Sequence, residues 1–280
     1  MTQRTWLITG INSGFGRHMT EQLLERGDRV AGTVRNLNSV DDLKTAYGEL
    51  LWVTHLDMTD TPEVFKVVDE AFKQLDKIDV VVSNAGYGLF GAAEELINDQ
   101  ITHQIDTNLV GPIQLVRASL PHLRTQGGGR IIQLSSVGGQ SAYPGGSLYH
   151  ATKWGIEGFI EAVMGEVEPF NIGLTIVEPG GARTNFKQQA AKMAPKLDAY
   201  DISPTAVVRK SLEDSTVPPI GDPAKMVKIM IDSVDQHPAP KRLTLGSDSY
   251  QVLHQAHSNR LKELESQKEL AFSTDDSKEG

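Results

Sequence analysis

The chain contains no cysteine. Disulfides, thiolate catalysis and cysteine-bound metals are excluded from the outset. No apolar run is long enough to span a bilayer. The opening MTQRTWLITG goes straight into a strand-like stretch without a secretory-signal pattern. Positive charge is also in deficit: 27 Lys and Arg stand against 36 Asp and Glu, a formal net charge of −9. That balance favours solubility and argues against nucleic acid or an anionic membrane as a partner. His254 and His257 could share a helical face, but no third ligand stands at a metal-like spacing, so no metal is expected. The rest is ordinary globular composition, 39% apolar and 22% charged, and the expectation is a cytoplasmic protein.

What is present is a regular alternation. Short apolar, β-branched runs occur at 5–10 (TWLITG), 28–34 (DRVAGTV), 50–56 (LLWVTHL), 77–84 (KIDVVVSN), 129–136 (GRIIQLSS), 172–179 (IGLTIVEP) and, more weakly, 241–246 (KRLTLG). Helical patterns such as 17–27 and 62–75 separate them. Strand and helix in alternation predict an α/β fold with a parallel sheet. Right-handed crossovers make it a doubly wound, Rossmann-type sheet of about seven strands with helices on both faces. With no break in composition, residues 1–246 read as one domain, with a long insertion at 185–220 of the kind that forms lids. Residues 247–280 read as a helical extension with a frayed end.

After the first strand comes a glycine-rich turn, Gly10-Ile11-Asn12-Ser13-Gly14-Phe15-Gly16, leading into a helix. In a dinucleotide site the first glycine makes the tight exit and the second admits the pyrophosphate. The third lets the helix pack close, so that its N-terminal N–H groups face the phosphates. Further polar or glycine-containing groups follow later strands: Asp57, then Asn84-Ala85-Gly86, Ser135-Ser136 and Pro179-Gly180. Ligand and catalytic groups of an open parallel sheet gather at those carboxyl ends. Each has an ordinary use as well. The serines can end a strand, Asn108 can sit at a helix irregularity before Gly111-Pro112, and Asp57 can cap a helix, although Asp60 before Thr61-Pro62 suits that role better.

With Thr9-Gly10-x3-Gly14-x-Gly16 and the pair Tyr149-x3-Lys153, the set resembles the short-chain dehydrogenase/reductase family over about residues 4–184 and the last strand. The resemblance implies that Tyr149 is the acid–base group with Lys153 beside it. It implies that Ser136 holds the substrate oxygen and that Asn108 completes a tetrad. Asp57, with Met58, would receive the adenine; Asn84, Ala85 and Gly86 would lie beside the cofactor. Thr184, after Pro179-Gly180, would contact the nicotinamide amide, and Ser83 stands where the family more often has asparagine.

The chemistry is self-consistent. Hydride transfer to a ketone or aldehyde leaves negative charge on oxygen, and a proton must follow it. An ammonium one helical turn from a phenol favours the phenolate, and a serine hydroxyl can hold the oxygen where charge develops. The second strand ends Thr33-Val34-Arg35-Asn36 with no acid to bind a free ribose 2′-hydroxyl, and Arg35 can grip a 2′-phosphate. The expected cofactor is therefore NADP(H) in preference to NAD(H). The expected activity is that of an NADP(H)-dependent carbonyl reductase or secondary-alcohol dehydrogenase acting on a hydrophobic small molecule. The alternatives are an NADP-binding redox sensor without turnover and a sugar-nucleotide epimerase or dehydratase, whose larger C-terminal substrate domain this chain lacks. The helix that carries Tyr149 is apolar on most sides and includes Gly155, Gly158 and Gly165, which predicts close helix packing and, by the resemblance, a homo-oligomer, dimer or larger.

Overall fold

A computed structural model describes residues 3–214 and 218–276. Strands β1 (Thr5–Thr9), β2 (Arg29–Val34) and β3 (Leu51–His55) alternate with helices α1 (Gly14–Glu25), α2 (Asp41–Tyr47) and α3 (Thr61–Leu75). After β4 (Val80–Ser83) come a short β5 (Gly88–Phe90), α4 (Asn98–Ile105) and α5 (Gly111–Thr125). Then β6 (Gly129–Leu134), α6 (Ser147–Val167) and β7 (Ile172–Pro179) lead to β8 (Ala191–Met193) and α7 (Pro204–Glu213). The chain ends with α8 (Pro223–Asp232), β9 (Arg242–Leu245), α9 (Ser247–Ser266) and α10 (Lys268–Phe272).

Seven strands form one parallel sheet in the order β3-β2-β1-β4-β6-β7-β9. The strands are apolar on both sides because helices cover both faces. Pleating sends Leu7, Val81, Ile131 and Leu174 into one core with α3, α5 and α6. Trp6, Ile8, Val80, Val82 and Ile132 face the other core, with α1 and α8. The chain winds outward from β1 to β3, then returns to place β4 on the other side of β1. The crevice at such a reversal is where an open α/β sheet binds its ligand.

Local signals place the elements well. Asp60 caps α3, its Oδ1 accepting from the Glu63 N–H at 2.9 Å, as its position before Thr61-Pro62 predicts. The irregularity expected before Gly111-Pro112 is a π-helical turn, Asp106–Val110, which turns Asn108 inward. The segment 185–220 is more structured than a loop. It contains a second π-turn (Phe186–Ala190), β8, a 3-10 turn (Asp198–Tyr200) and α7. Strand β8 pairs in parallel with β5 in a separate two-stranded sheet, so this lid is stitched to the body by backbone bonds. Residues 215–217 of the segment, and 277–280 of the predicted frayed tail, lie outside the described residues. Among the described residues no helix is long and apolar enough to cross a membrane.

Candidate active site

The glycine turn works because of how closely its parts approach. Gly10 (φ +75°) and Gly14 (φ +56°) take left-handed conformations that favour glycine. A Cβ on Gly16 would lie 2.3 Å from the Gly10 carbonyl oxygen and 2.5 Å from Asn84 Nδ2, so only glycine lets α1 start there. Asn84 fastens the turn from below, its Nδ2 donating to the carbonyls of Thr9 (2.8 Å) and Gly10 (3.1 Å). Thr9 Oγ1 in turn receives the N–H groups of Asn84 (3.0 Å) and Ala85 (3.1 Å). Ser13, the N-cap residue, makes no side-chain cap, and the first turn of α1 holds no acid. The helix N-terminus is thus left as an electropositive seat for phosphates.

Around this turn opens a cavity of about 1090 Å³. Gly10, Asn12, Ser13, Gly14 and Phe15 line it, as do Arg35, Asp57, Met58, Asn84, Ala85 and Gly86. Ser136, Tyr149, Lys153, Pro179, Gly180 and Thr184 line it too. Of the residues singled out from sequence, Gly16 and Asn108 lie behind this wall. Asn108, 2% exposed, clamps the Tyr87 peptide: its Oδ1 accepts from the N–H at 3.0 Å and its Nδ2 donates to the carbonyl at 2.6 Å. Arg35 lies exposed at the rim and forms no ion pair with any described residue. Burial works to raise the Asp57 carboxyl, but the Thr59 N–H and hydroxyl, each 2.9 Å from Oδ1, together with Arg35 hold it below its ordinary range.

On the opposite wall α6 presents Tyr149 and Lys153 beside Ser136, which ends the extended run of β6. Burial pushes the Tyr149 hydroxyl up to about 12, with a hydrogen bond from Ser136 working the other way. Burial drives the Lys153 ammonium down to about 8 against the pull of Glu157. Lys153 Nζ lies 5.8 Å from the centre of the Tyr149 ring and donates to the Leu134 carbonyl at 2.9 Å. The downward tuning of Tyr149 anticipated from the four-residue spacing is therefore not what the protein alone supplies, because desolvation dominates.

Sequence reading overlooked the residues that brace this wall. His150, 4% exposed, holds the loop after Ser136. Burial lowers its pKa, and the neutral ring donates from Nδ1 to the Gly138 carbonyl (3.0 Å) while Nε2 accepts from the Tyr143 N–H (3.3 Å). Glu157 and Glu178, 2% and 1% exposed, share the guanidinium of Arg242. Glu157 also accepts from the Ser135 hydroxyl, next to Ser136. At the far end of the cavity Phe90 packs on Tyr149 (ring centres 5.6 Å apart, 42° between planes). Leu89, Tyr143, Phe186 and Met193 complete an apolar chamber beneath the lid.

The sequence profile described as short chain dehydrogenase matches residues 4–195. An oxidoreductase of Botryotinia fuckeliana, BOA17, is 33% identical over 254 residues, covering 90% of this chain and 92% of its own. The crystal structure of a short-chain dehydrogenase from Streptomyces avermitilis superposes with a TM-score of 0.91 at 35% identity, over 98% of this chain and 99% of its own. A more distant structure, ElxO with NADP bound, shares the fold at a TM-score of 0.72 and 22% identity, over 87% of this chain and 97% of its own.

Proposed function

The chain belongs to the short-chain dehydrogenase family, and from that premise we propose that it is an NADP(H)-dependent reductase of hydrophobic ketones or aldehydes, with Tyr149 as the proton donor. The observation that carries this reading is one cavity with the glycine turn Gly10–Gly16, the exposed Arg35, which makes no salt bridge with a described residue, and Ser136, Tyr149 and Lys153 on the facing wall.

When bound, the nicotinamide cofactor supplies or accepts the hydride. The glycine turn and the start of α1 would hold its phosphates, Asp57 Oδ2 its adenine amino group, and Arg35 a 2′-phosphate. Ser136 orients the carbonyl oxygen and stabilises the charge that develops on it. Tyr149 then protonates that oxygen. Its raised pKa suits the reductive direction, since the hydroxyl keeps its proton at neutral pH until the stronger base of an alkoxide forms. Lys153 places positive charge behind the hydroxyl and can hold ribose hydroxyls with its remaining donors. Phe90, Met193, Phe186 and Tyr143 favour an apolar substituent on the substrate. The exposed Trp154 on α6, and the open space around Gly158 and Gly165, support a homo-oligomer of two or more copies.

The direct test mixes the purified protein with NADPH or NADH and a panel of aryl and long-chain alkyl ketones and aldehydes, following reduced-nicotinamide absorbance. Turnover with NADPH is expected. NADPH binding without turnover on any member would instead favour a sensor. For the cofactor, Arg35→Ala is expected to weaken NADPH binding by roughly 10–100-fold, the loss of one charge-assisted contact, and NADH by much less. Equal weakening of both in titrations would remove Arg35 from the 2′-phosphate.

A further inference from the structure

Beyond the β5–β8 pairing, the lid is fastened to the body at a buried carboxylate. Glu95, 3% exposed, ends the 3-10 turn Ala93–Glu95 that follows β5. Its Oε2 accepts from the Ala92 N–H at 2.7 Å and from Arg209 Nη2 at 2.8 Å, and its Oε1 accepts from the Leu197 N–H at 2.9 Å. Ala92 belongs to the body, Leu197 to the middle of the lid and Arg209 to α7, so one carboxylate joins three separate pieces of chain. Arg209 reaches further into the lid, its Nη1 donating to the Ala194 carbonyl at 3.3 Å. Only 14% of the Arg209 side chain and 1% of that of Glu95 are exposed, so water screens the pair little.

The same turn brings the lid down onto the apolar chamber. Ala194 N–H donates to the Phe90 carbonyl at 2.8 Å, continuing the β5–β8 pairing. A Cβ on Gly91 would lie 2.7 Å from Ala194 Cβ and 3.0 Å from Glu95 Oε2, so glycine is needed where the lid closes on the body. Neither Glu95, Ala194, Leu197 nor Arg209 lines the cavity, whereas their neighbours Phe90 and Met193 do. The outer anchor, Tyr200 hydroxyl to Glu94 Oε2 at 2.8 Å, is exposed and correspondingly weak.

We propose that Glu95, through Arg209 and Leu197, is a buried latch that holds the lid closed over the apolar chamber and so sets the affinity for, and the size of, the carbonyl substrate. Glu95 and Arg209 are positioning residues, and the part that concerns substrate rests on the reductase reading. Removing the charge of Glu95 leaves the cofactor seat intact and frees the roof of the chamber. Binding of substrate weakens, while the chemistry at Tyr149 proceeds once substrate is in place.

The test compares wild type, Glu95→Gln and Arg209→Lys as full chains in two ways. Limited trypsinolysis without added ligand reads lid opening at Lys187, Lys192 and Lys196. Steady-state kinetics use NADPH and whichever ketone of the panel wild type turns over best. In Glu95→Gln, cleavage within the lid and KM for the ketone are each expected to rise about tenfold or more, with kcat within about threefold and NADPH affinity unchanged. Arg209→Lys, which keeps the charge but loses the fork, is expected to fall between the two. Wild-type cleavage and KM in both variants would overturn the latch. So would a joint fall of kcat, NADPH affinity and melting temperature, which would mark Glu95 as a support of the whole fold. If Glu95→Gln does not fold, Arg209→Lys decides by the same criteria. If wild type reduces no ketone or aldehyde of the panel, the reductase reading fails, and the cleavage ratio still judges the latch.

Discussion

Tyr149→Phe is expected to lower kcat for ketone reduction by ~10²–10⁴-fold, the usual worth of a positioned general acid, while NADPH binds as before. The change removes one oxygen from a ring that is 8% exposed and packed on Phe90, and the phenyl ring keeps that contact. Melting temperature should therefore move little, which separates lost chemistry from lost structure. Hydride transfer would leave an alkoxide with Ser136 nearby but no strong proton donor, and the alkoxide would return its hydride rather than leave as alcohol. Fluorescence titration with NADPH, followed by single-turnover absorbance, measures both halves of the claim. Activity within about tenfold of wild type would transfer the donor role elsewhere. Tyr143 would then be examined first, because it lines the same cavity and burial has raised its hydroxyl as well.

Arg242→Met carries the second large effect, on stability. Arg242 is the cation between two buried carboxylates, with Nη1 2.6 Å from Glu178 Oε1 and also bonded to Glu157. Removing one member of a buried ionic cluster leaves uncompensated charge, at a cost of ~3–5 kcal/mol. The guanidinium retains some water contact, so the lower end applies: about 3 kcal/mol, or roughly 6–12 °C in melting temperature for a chain of this size. The loss should depend on pH. Burial already raises the Glu157 carboxyl above its ordinary value, with Ser135 and Arg242 opposing, and loss of the guanidinium raises it further. A carboxyl with a raised folded pKa contributes stability that is full below its unfolded value and disappears as the pH climbs through the folded one. The deficit of Arg242→Met should therefore be small near pH 5 and large near pH 8, by thermal unfolding in matched buffers. A deficit independent of pH would assign the effect to the packing of the aliphatic stem.

The sheet was legible in the sequence because its strands are buried on both faces. Runs such as Val80-Val81-Val82 admit few other readings, and the glycine turn and Asp60 mark where helices begin. Most of the proposed site residues were visible because they stand after strand ends or on the first two turns of α6, where order along the chain translates into position in space, and Asn108 because Gly111-Pro112 marks the irregular turn that holds it. Strands β5 and β8 were not, since three residues each show no period. Glu95, Glu157, Glu178 and Arg242 were missed for a different reason. In the sequence none stands near its partner, Glu95 far from Arg209 and both Glu157 and Glu178 far from Arg242, and only folding brings them together. His150 adjoins Tyr149 in the sequence, but only the fold shows that its ring fastens the loop behind Ser136. Desolvation of Tyr149, which opposes any tuning by Lys153, belongs to the folded site and cannot be read from a four-residue spacing.

Among the described residues the lid makes no strand pairing with the seven-stranded sheet. Its strand β8 pairs with β5, and its buried charge pairs with the turn after β5. In evolutionary terms this makes the chamber end an exchangeable cartridge. Residues 185–214 can vary in length and lining while Gly10–Gly16 and the ends of β4, β6 and β7 stay fixed, provided that Glu95 keeps a cation to hold. On the proposed reading, divergence of substrate among descendants of such a fold then needs few compensating changes in the core, and selection for a new substrate can act almost independently of selection for the cofactor.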